Sequence, residues 1–242
     1  MSTFRFQQFS VLQQRSGMKV CTDAVLFGAM APLHPGDRVL DIGTGTGVLA
    51  LMAAQLGAAK VTGVELTQEA YEEAGINFNL SPWAHRIEAV HQDIQGFALA
   101  ADSQYDLIMS NPPFFANHSK TTASLRNAAR HTDLLSFSDL ISSAGKLLAE
   151  QGLLYVLIPI SAVEKFSALA LAEGFYLINR IDYRGYAHTR AKVSALTFSR
   201  TVAGITARLL TVYESVGMYT KESERYLGKF LLRFSPGRQA QQ

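Results

Sequence analysis

From residue 38 onward, apolar positions follow two alternating patterns. Short runs rich in β-branched residues at 38–42, 60–65, 86–91, 105–110 and 153–159 predict strands, and stretches with helical spacing at 47–56, 68–79, 137–148 and 162–173 predict the helices between them. Alternation of this kind predicts an α/β fold, with a mainly parallel sheet covered by helices on both faces. The pattern then changes. Residues 175–184 and 193–200 predict two strands joined by a basic loop, 185–192, and 205–213 is a candidate for a further strand. A late hairpin on a parallel sheet is expected to make its edge antiparallel. Ahead of residue 38, the first 36 residues read as an accessory segment: a hairpin within 4–13, then a short helix from Asp23 to Met30 with Thr22 as its N-cap. No linker is long enough to separate two units, so residues 1–242 are expected to form one domain.

Composition narrows the classes. A chain of 242 residues that is 48% hydrophobic and 17% charged suits a globular domain with a sizeable core. No apolar run reaches the length of a membrane span, and the first residues lack the apolar stretch of a signal peptide. The single cysteine, Cys21, excludes an internal disulfide and a cysteine-based zinc cluster, which makes the cytoplasm the expected compartment. The net charge of +2 hides an asymmetry. Residues 1–177 carry 11 Lys/Arg against 16 Asp/Glu, whereas residues 178–242 carry 11 against 4. A basic C-terminal quarter on an acidic body points to a polyanionic partner.

The strand at 38–42 runs straight into Gly43-Thr44-Gly45-Thr46-Gly47, with Asp41 at its end. A glycine-rich strand-to-helix turn lets backbone come close to a ligand. The spacing is not that of a dinucleotide site, because Val48 stands where the last glycine would be. Glu65 closes the second strand and Asp93 follows the third. Asp41 is suited to an ammonium group, Glu65 to two ribose hydroxyls and Asp93 to an adenine amine. Three acids at successive strand ends with no phosphate-binding lysine describe a ligand such as S-adenosylmethionine.

A second constellation follows the strand at 105–110. Asn111-Pro112-Pro113-Phe114 is a stiff ledge, because two prolines remove two N–H donors and fix two φ angles. The Asn111 amide oxygen and the Pro112 carbonyl can accept both N–H bonds of a planar exocyclic amine, with Phe114 stacked on its ring. Held this way, the nitrogen lone pair is localised and aimed, so an amine of almost no basicity becomes a nucleophile without a general base. Neither a metal nor a covalent enzyme intermediate is called for.

Val39 to Gly47 and Asn111 to Phe114 resemble the two signature motifs of class I methyltransferases that act on exocyclic amines. The resemblance spans residues 15–200 and implies a Rossmann-like sheet of seven strands, mainly parallel with the last strand antiparallel, and S-adenosylmethionine as cofactor. It implies that Asp41, Gly43, Thr44, Gly45 and Gly47 wrap the methionine end, that Glu65 binds ribose and Asp93 lies near adenine, and that Asn111, Pro112, Pro113 and Phe114 hold the target amine. The segment Met18-Lys19-Val20-Cys21-Thr22-Asp23 resembles one that closes over the cofactor, so Thr22 and Asp23 are cofactor contacts or simple helix caps. Together with Arg126-Asn127-Ala128-Ala129-Arg130-His131 and the basic ending, it is similar to the bacterial enzymes that N6-methylate adenine 37 of tRNA-Val.

The implied partner is therefore tRNA, with Arg184, Arg190 and Lys192 as phosphate contacts and Tyr186 as a stacking surface for a loop base. Tyr183 and His188 are interleaved with them. Two alternatives stay open, since the same motif serves glutamine side-chain amides of proteins and guanine N2 of ribosomal RNA. The first group usually carries Tyr at the fourth motif position and a helical N-terminal domain. The second commonly carries a duplicated, inactive half.

Overall fold

The computed structural model describes residues 2–102, 104–112 and 135–235. A hairpin of β1 (Thr3–Arg5) and β2 (Ser10–Leu12) leads to α1 (Thr22–Ala29). The alternating part follows: β3 (Arg38–Ile42), α2 (Val48–Gln55), β4 (Lys60–Glu65), α3 (Gln68–Asn79), β5 (Ile87–His91), α4 (Ile94–Ala100) and β6 (Tyr105–Ser110). After residue 134 come α5 (Phe137–Leu147), β7 (Leu148–Pro159), α6 (Val163–Ala172), β8 (Tyr176–Arg184), β9 (Val193–Ser199) and β10 (Thr206–Thr211). A small hairpin of β11 (Tyr213–Ser215) and β12 (Met218–Tyr219) precedes α7 (Lys221–Leu227).

The large sheet has the order β10-β8-β9-β7-β6-β3-β4-β5. It holds eight strands rather than the expected seven. Seven of them run the same way, and β9 alone is antiparallel, to both β7 and β8. The antiparallel strand does not lie at the edge. The crossover through α6 carries β8 past one position, and the hairpin return inserts β9 into the gap. The eighth strand, β10, then pairs in parallel with β8 from Thr206 opposite Asn179 to Thr211 opposite Arg184.

Strand parity sorts the core into two layers. Val39, Leu107 and Met109 face a cluster built from α1, α2, α3, α7 and the N-terminal hairpin, while Leu40, Ile42 and Ile108 face a second cluster with α4, α5 and α6. The helix α1 docks tightly on the first layer. Phe27 stacks on Tyr155 of β7 at 4.1 Å and 9°, and the Tyr155 hydroxyl donates to the Phe27 carbonyl at 3.2 Å. A Cβ on Gly28 would lie 2.7 Å from the Met52 sulfur, so a larger residue here would displace the Met52 side chain from the α1–α2 contact.

The helix start differs by a residue from expectation. α1 begins at Thr22, with Cys21 at the N-cap and no side-chain cap bond. Two further helices, α4 and α7, lack a sequence counterpart. Each has seven residues, too short for a periodic pattern, and each starts at a side-chain cap: Asp93 accepts from the Gly96 N–H and Thr220 from the Ser223 N–H.

Because all strands but β9 point one way, β3, β4, β5 and β6 end along one edge of the sheet. The order reverses between β3 and β6, and crevices form at such a switch point. The β8–β9 loop and the β11–β12 hairpin belong to the same edge, farther along it.

Candidate functional site

The turn after β3 is locked from several sides. Gly43, Gly45 and Gly47 have φ of 70°, 56° and 80°, the left-handed region that favours glycine. A Cβ on Gly47 would also lie 2.3 Å from the Phe78 ring. The Gly43 and Thr44 N–H groups both donate to the Val64 carbonyl, at 2.9 and 3.1 Å. The Gly45 N–H donates to Glu65 Oε2 at 3.0 Å. Glu65 Oε1 in turn accepts from the Leu66 N–H, the Thr67 N–H and the Thr67 hydroxyl, each at 3.0 Å. One carboxylate thus ties the glycine turn to the turn after β4.

These turns open on a cleft of about 1020 Å³, at the upper end of the range for small-molecule sites. Gly43, Thr44, Gly45, Glu65, Asp93 and Asn111 all line it. Asn111 lies directly after the end of β6, whose Ser110 hydroxyl donates to the Ile42 carbonyl at 2.9 Å and holds the ends of β6 and β3 together. Gly47 acts beside the cleft, as the N-cap of α2. Asp93 is exposed, and one of its oxygens accepts the Gly96 N–H at 2.7 Å as the cap of α4. Pro112 ends the described stretch, and Pro113, Phe114 and the 126–131 segment lie outside the described residues.

Besides Gly47, three of the expected cofactor residues do not line the cleft. Asp41 shares the parity of Val39 and is turned inward toward α2, with 1% of its surface exposed. Its Oδ2 accepts from the Thr44 hydroxyl at 2.6 Å, while Oδ1 is buried without a hydrogen-bond partner. Burial pushes its pKa up to about 7, against the pull of the Thr44 hydroxyl and the nearby Ala50 N–H. Thr22 and Asp23 face the other way, toward the C-terminal part. The Thr22 hydroxyl lies 2.9 Å from the Tyr213 hydroxyl, and Asp23 is raised in pKa by burial, an effect that the charge of Lys192 opposes.

The segment that does close the cleft is 15–21, which supplies Arg15, Met18, Lys19 and Cys21 to its wall. It is stapled to α3. Glu73, 3% exposed, accepts from the N–H groups of Gln14, Arg15 and Ser16 and from the Ser16 hydroxyl, at 2.6 to 3.1 Å. Burial alone would raise its pKa, yet these four donors outweigh burial and hold it below the ordinary carboxylate value. One turn later, Asn77 donates to the Leu12 and Thr46 carbonyls and accepts the Leu12 N–H, joining β2 to the glycine turn. This staple had a sequence signal. Ala70, Glu73, Ala74, Asn77 and Phe78 share the buried face of α3, and a Glu and an Asn on a core face require partners. Replacing Glu73 by Ala is expected to cost about 2–4 kcal/mol of stability, since four hydrogen bonds to a charged group are lost. Thermal denaturation of the variant measures this, and an unchanged midpoint refutes the staple.

The basic side is mixed. Arg180 is committed to Asp182 through two bonds of 2.8 and 2.9 Å, and Arg184 donates to the Thr211 hydroxyl at 2.8 Å. Tyr183 is 2% exposed and packs in the core, so it does not present a surface for a base. Arg190 and Lys192 are exposed in the β8–β9 loop, and Tyr186 is half buried there. Among the described residues, no group of three or more metal-ligating side chains occurs, and no helix is long and apolar enough to cross a membrane.

Residues 22–170 match the model of the methyltransferase small domain. The chain is 41% identical over 221 residues to a Flavobacterium psychrophilum protein named tRNA1(Val) (adenine(37)-N6)-methyltransferase, covering 90% of this chain and 94% of that one. A protein of the same name from Yersinia pseudotuberculosis is 39% identical over 233 residues, covering 96% and 92%. Among solved structures, a predicted O-methyltransferase from Agrobacterium tumefaciens superposes with a TM-score of 0.63 at 20% identity, covering 84% of this chain and 94% of that one, which shows a shared fold. The chain therefore belongs to the methyltransferase small domain family, alongside the enzymes named tRNA1(Val) (adenine(37)-N6)-methyltransferase.

Proposed function

We propose that this protein transfers a methyl group from S-adenosylmethionine to the N6 amine of an adenine in tRNA, adenine 37 of tRNA-Val, in the cytoplasm, and that residues 1–242 act as one domain. The observation that carries this reading is that Asn111 faces the same cleft as the glycine turn and Glu65. Relatives of that name, matched along nearly their whole length, favour it over a protein-amide or ribosomal guanine substrate.

The residues present fit the cofactor. The glycine turn leaves its backbone open to close approach, Glu65 Oε2 makes a single internal bond and keeps a lone pair for a ligand hydroxyl, and the buried Asp41 Oδ1, without a hydrogen-bond partner, puts unmet negative potential behind the turn. When bound, S-adenosylmethionine supplies an electrophilic methyl group on a sulfonium. The protein's share is positioning and electrostatics. Glu65 would hold the ribose, Asp93 would lie at the adenine end, and Asp41 would act through Thr44 on the cationic methionine end. The Asn111 amide oxygen and the Pro112 carbonyl accept the two N–H groups of the target amine, which keeps its lone pair directed into the cleft. The proton released after transfer leaves from that nitrogen to water. The deciding experiment is methyl transfer from labelled S-adenosylmethionine to total tRNA and to total protein, followed by nucleoside analysis. Label in N6-methyladenosine supports the reading, and label only in protein overturns it.

Asp41 gives this reading a pH signature. Its folded pKa of about 7 lies above the ordinary 3.8, so between those values the folded carboxyl keeps a proton that the unfolded one has lost. This group therefore lowers stability as pH rises through that window, by an amount on the order of a few kcal/mol. A cationic ligand favours the ionised form. Affinity for S-adenosylmethionine is expected to rise from pH 6 to pH 8, and Asp41→Asn is expected to flatten that rise. The same variant is expected to raise the melting midpoint of the cofactor-free protein at pH 8. Calorimetry across pH checks the first effect and thermal scans check the second.

A further inference from the structure

A run of rings lies at the carboxyl edge of the sheet, beyond the cleft. His188 stacks on Tyr186 with centroids 5.6 Å apart and planes at 11°. Tyr186 leans on Tyr213 at 5.5 Å and 34°, Tyr213 stacks on Tyr219 at 4.9 Å and 28°, and Tyr219 meets Phe234 at 5.9 Å. The Arg233 guanidinium lies over the Tyr219 ring, 5.1 Å from its centroid. The run is anchored at both levels. The Tyr213 hydroxyl lies 2.9 Å from the Thr22 hydroxyl, next to Cys21 in the cleft wall. Thr189 closes the tight turn under His188: its hydroxyl accepts the Tyr186 N–H at 3.0 Å and donates to the Tyr186 carbonyl at 2.8 Å.

Exposure changes at the end of the run. Phe234, Tyr219, Tyr213 and Tyr186 are half buried, and their packing follows from ordinary burial of apolar area. His188 is exposed. Burial does not account for an imidazole held nearly parallel on Tyr186 at the open end. Among the described residues its outer face meets no other ring and no ion-pair partner. Two and four residues further on, Arg190 and Lys192 are exposed and, among the described residues, form no ion pair within 4.0 Å.

We propose that His188 is the terminal rung of a base-stacking platform, on whose outer face an unpaired nucleobase of the RNA loop near the target adenine stacks. The proposal rests on the tRNA reading above and extends it to a second nucleotide. The chemistry favours a single-stranded, polyanionic ligand. An aromatic end-face takes the π-face of any base, and the neighbouring cations take the backbone of the same strand. The stack beneath His188 is already ordered, so little conformational freedom is lost when a base extends it.

The test measures tRNA affinity against salt by fluorescence anisotropy, with wild type, His188→Ala, His188→Trp and the double variant Arg190→Gln/Lys192→Gln. His188→Ala is expected to weaken binding by about 5- to 100-fold with the salt slope unchanged. His188→Trp is expected to restore binding, since it keeps the ring and loses the imidazole. The double variant is expected to flatten the slope by about 1.4–1.8, at about 0.7–0.9 per lost phosphate contact. An abasic substitution beside the target nucleotide is expected to weaken wild type and leave His188→Ala no weaker than before. Wild-type affinity in His188→Ala, failure of Trp to rescue, or a loss that appears as a flattened slope overturns the platform. Wild-type enzyme that leaves tRNA unmethylated overturns instead the proposed function on which the platform rests.

Discussion

Asn111→Ala is expected to lower methyl-transfer turnover by about 100- to 1000-fold while leaving affinity for S-adenosylmethionine within about twofold, the loss seen when one oriented polar group is removed from a preorganised site. The separation follows from position. Asn111 lies directly after the end of β6, across the switch point from the glycine turn, and lines the cleft without belonging to the bonds that hold that turn. Its loss removes an acceptor for the target amine and leaves the cofactor half untouched. Single-turnover kinetics on tRNA, paired with calorimetric titration of the cofactor, read both quantities. Turnover near wild type removes Asn111 from the chemistry. A parallel collapse in cofactor affinity means that it supports the glycine turn instead.

Glu65→Ala is expected to weaken S-adenosylmethionine binding by at least about 10- to 100-fold, the equivalent of one lost charge-assisted hydrogen bond or more. Two effects act together. The carboxylate is the expected ribose acceptor, and it also holds the Gly45 N–H and three donors of the turn after β4. Glu65→Gln is expected to fare nearly as badly. A carboxylate only accepts, whereas an amide must turn its NH2 toward either the Gly45 N–H or the Leu66–Thr67 donors. Calorimetric titration and the melting midpoint of both variants test this. A Gln variant that binds like wild type would show that the second oxygen has no essential acceptor role.

Much of the fold was legible because its signals are local. Helix α3 at Gln68–Asn79 and strands β3, β4 and β6 have the bounds that their apolar periodicity predicts. The glycine spacing after β3 and the acid after β4 likewise follow from short windows of sequence. The failures share a cause. Asp41 ends a strand, and sequence alone does not say whether a strand-end side chain faces the crevice or the helix layer beneath it. Here parity with Val39 turns it toward α2. Thr22 and Asp23 sit in the first turn of α1, whose rotation is decided by Phe27 on Tyr155 and by Gly28 against Met52. Both contacts join residues far apart in the chain. Tyr183 alternates with half-buried polar neighbours in a strand that becomes interior once β9 and β10 flank β8 on either side.

By itself, then, the sequence determined the α/β alternation, the glycine turn and the charge asymmetry, since each depends on residues within one turn or one strand. Tertiary structure alone decided which strands became neighbours, that β9 entered between β7 and β8, and that an eighth strand joined the edge. It also decided that segment 15–21, stapled by Glu73, closes the cleft, and that rings from residues 186 to 234 stack into one run. These are pairings between distant parts of the chain. Their free energy comes from burying apolar area and satisfying buried polar groups at once, and neither condition is expressed within any short window.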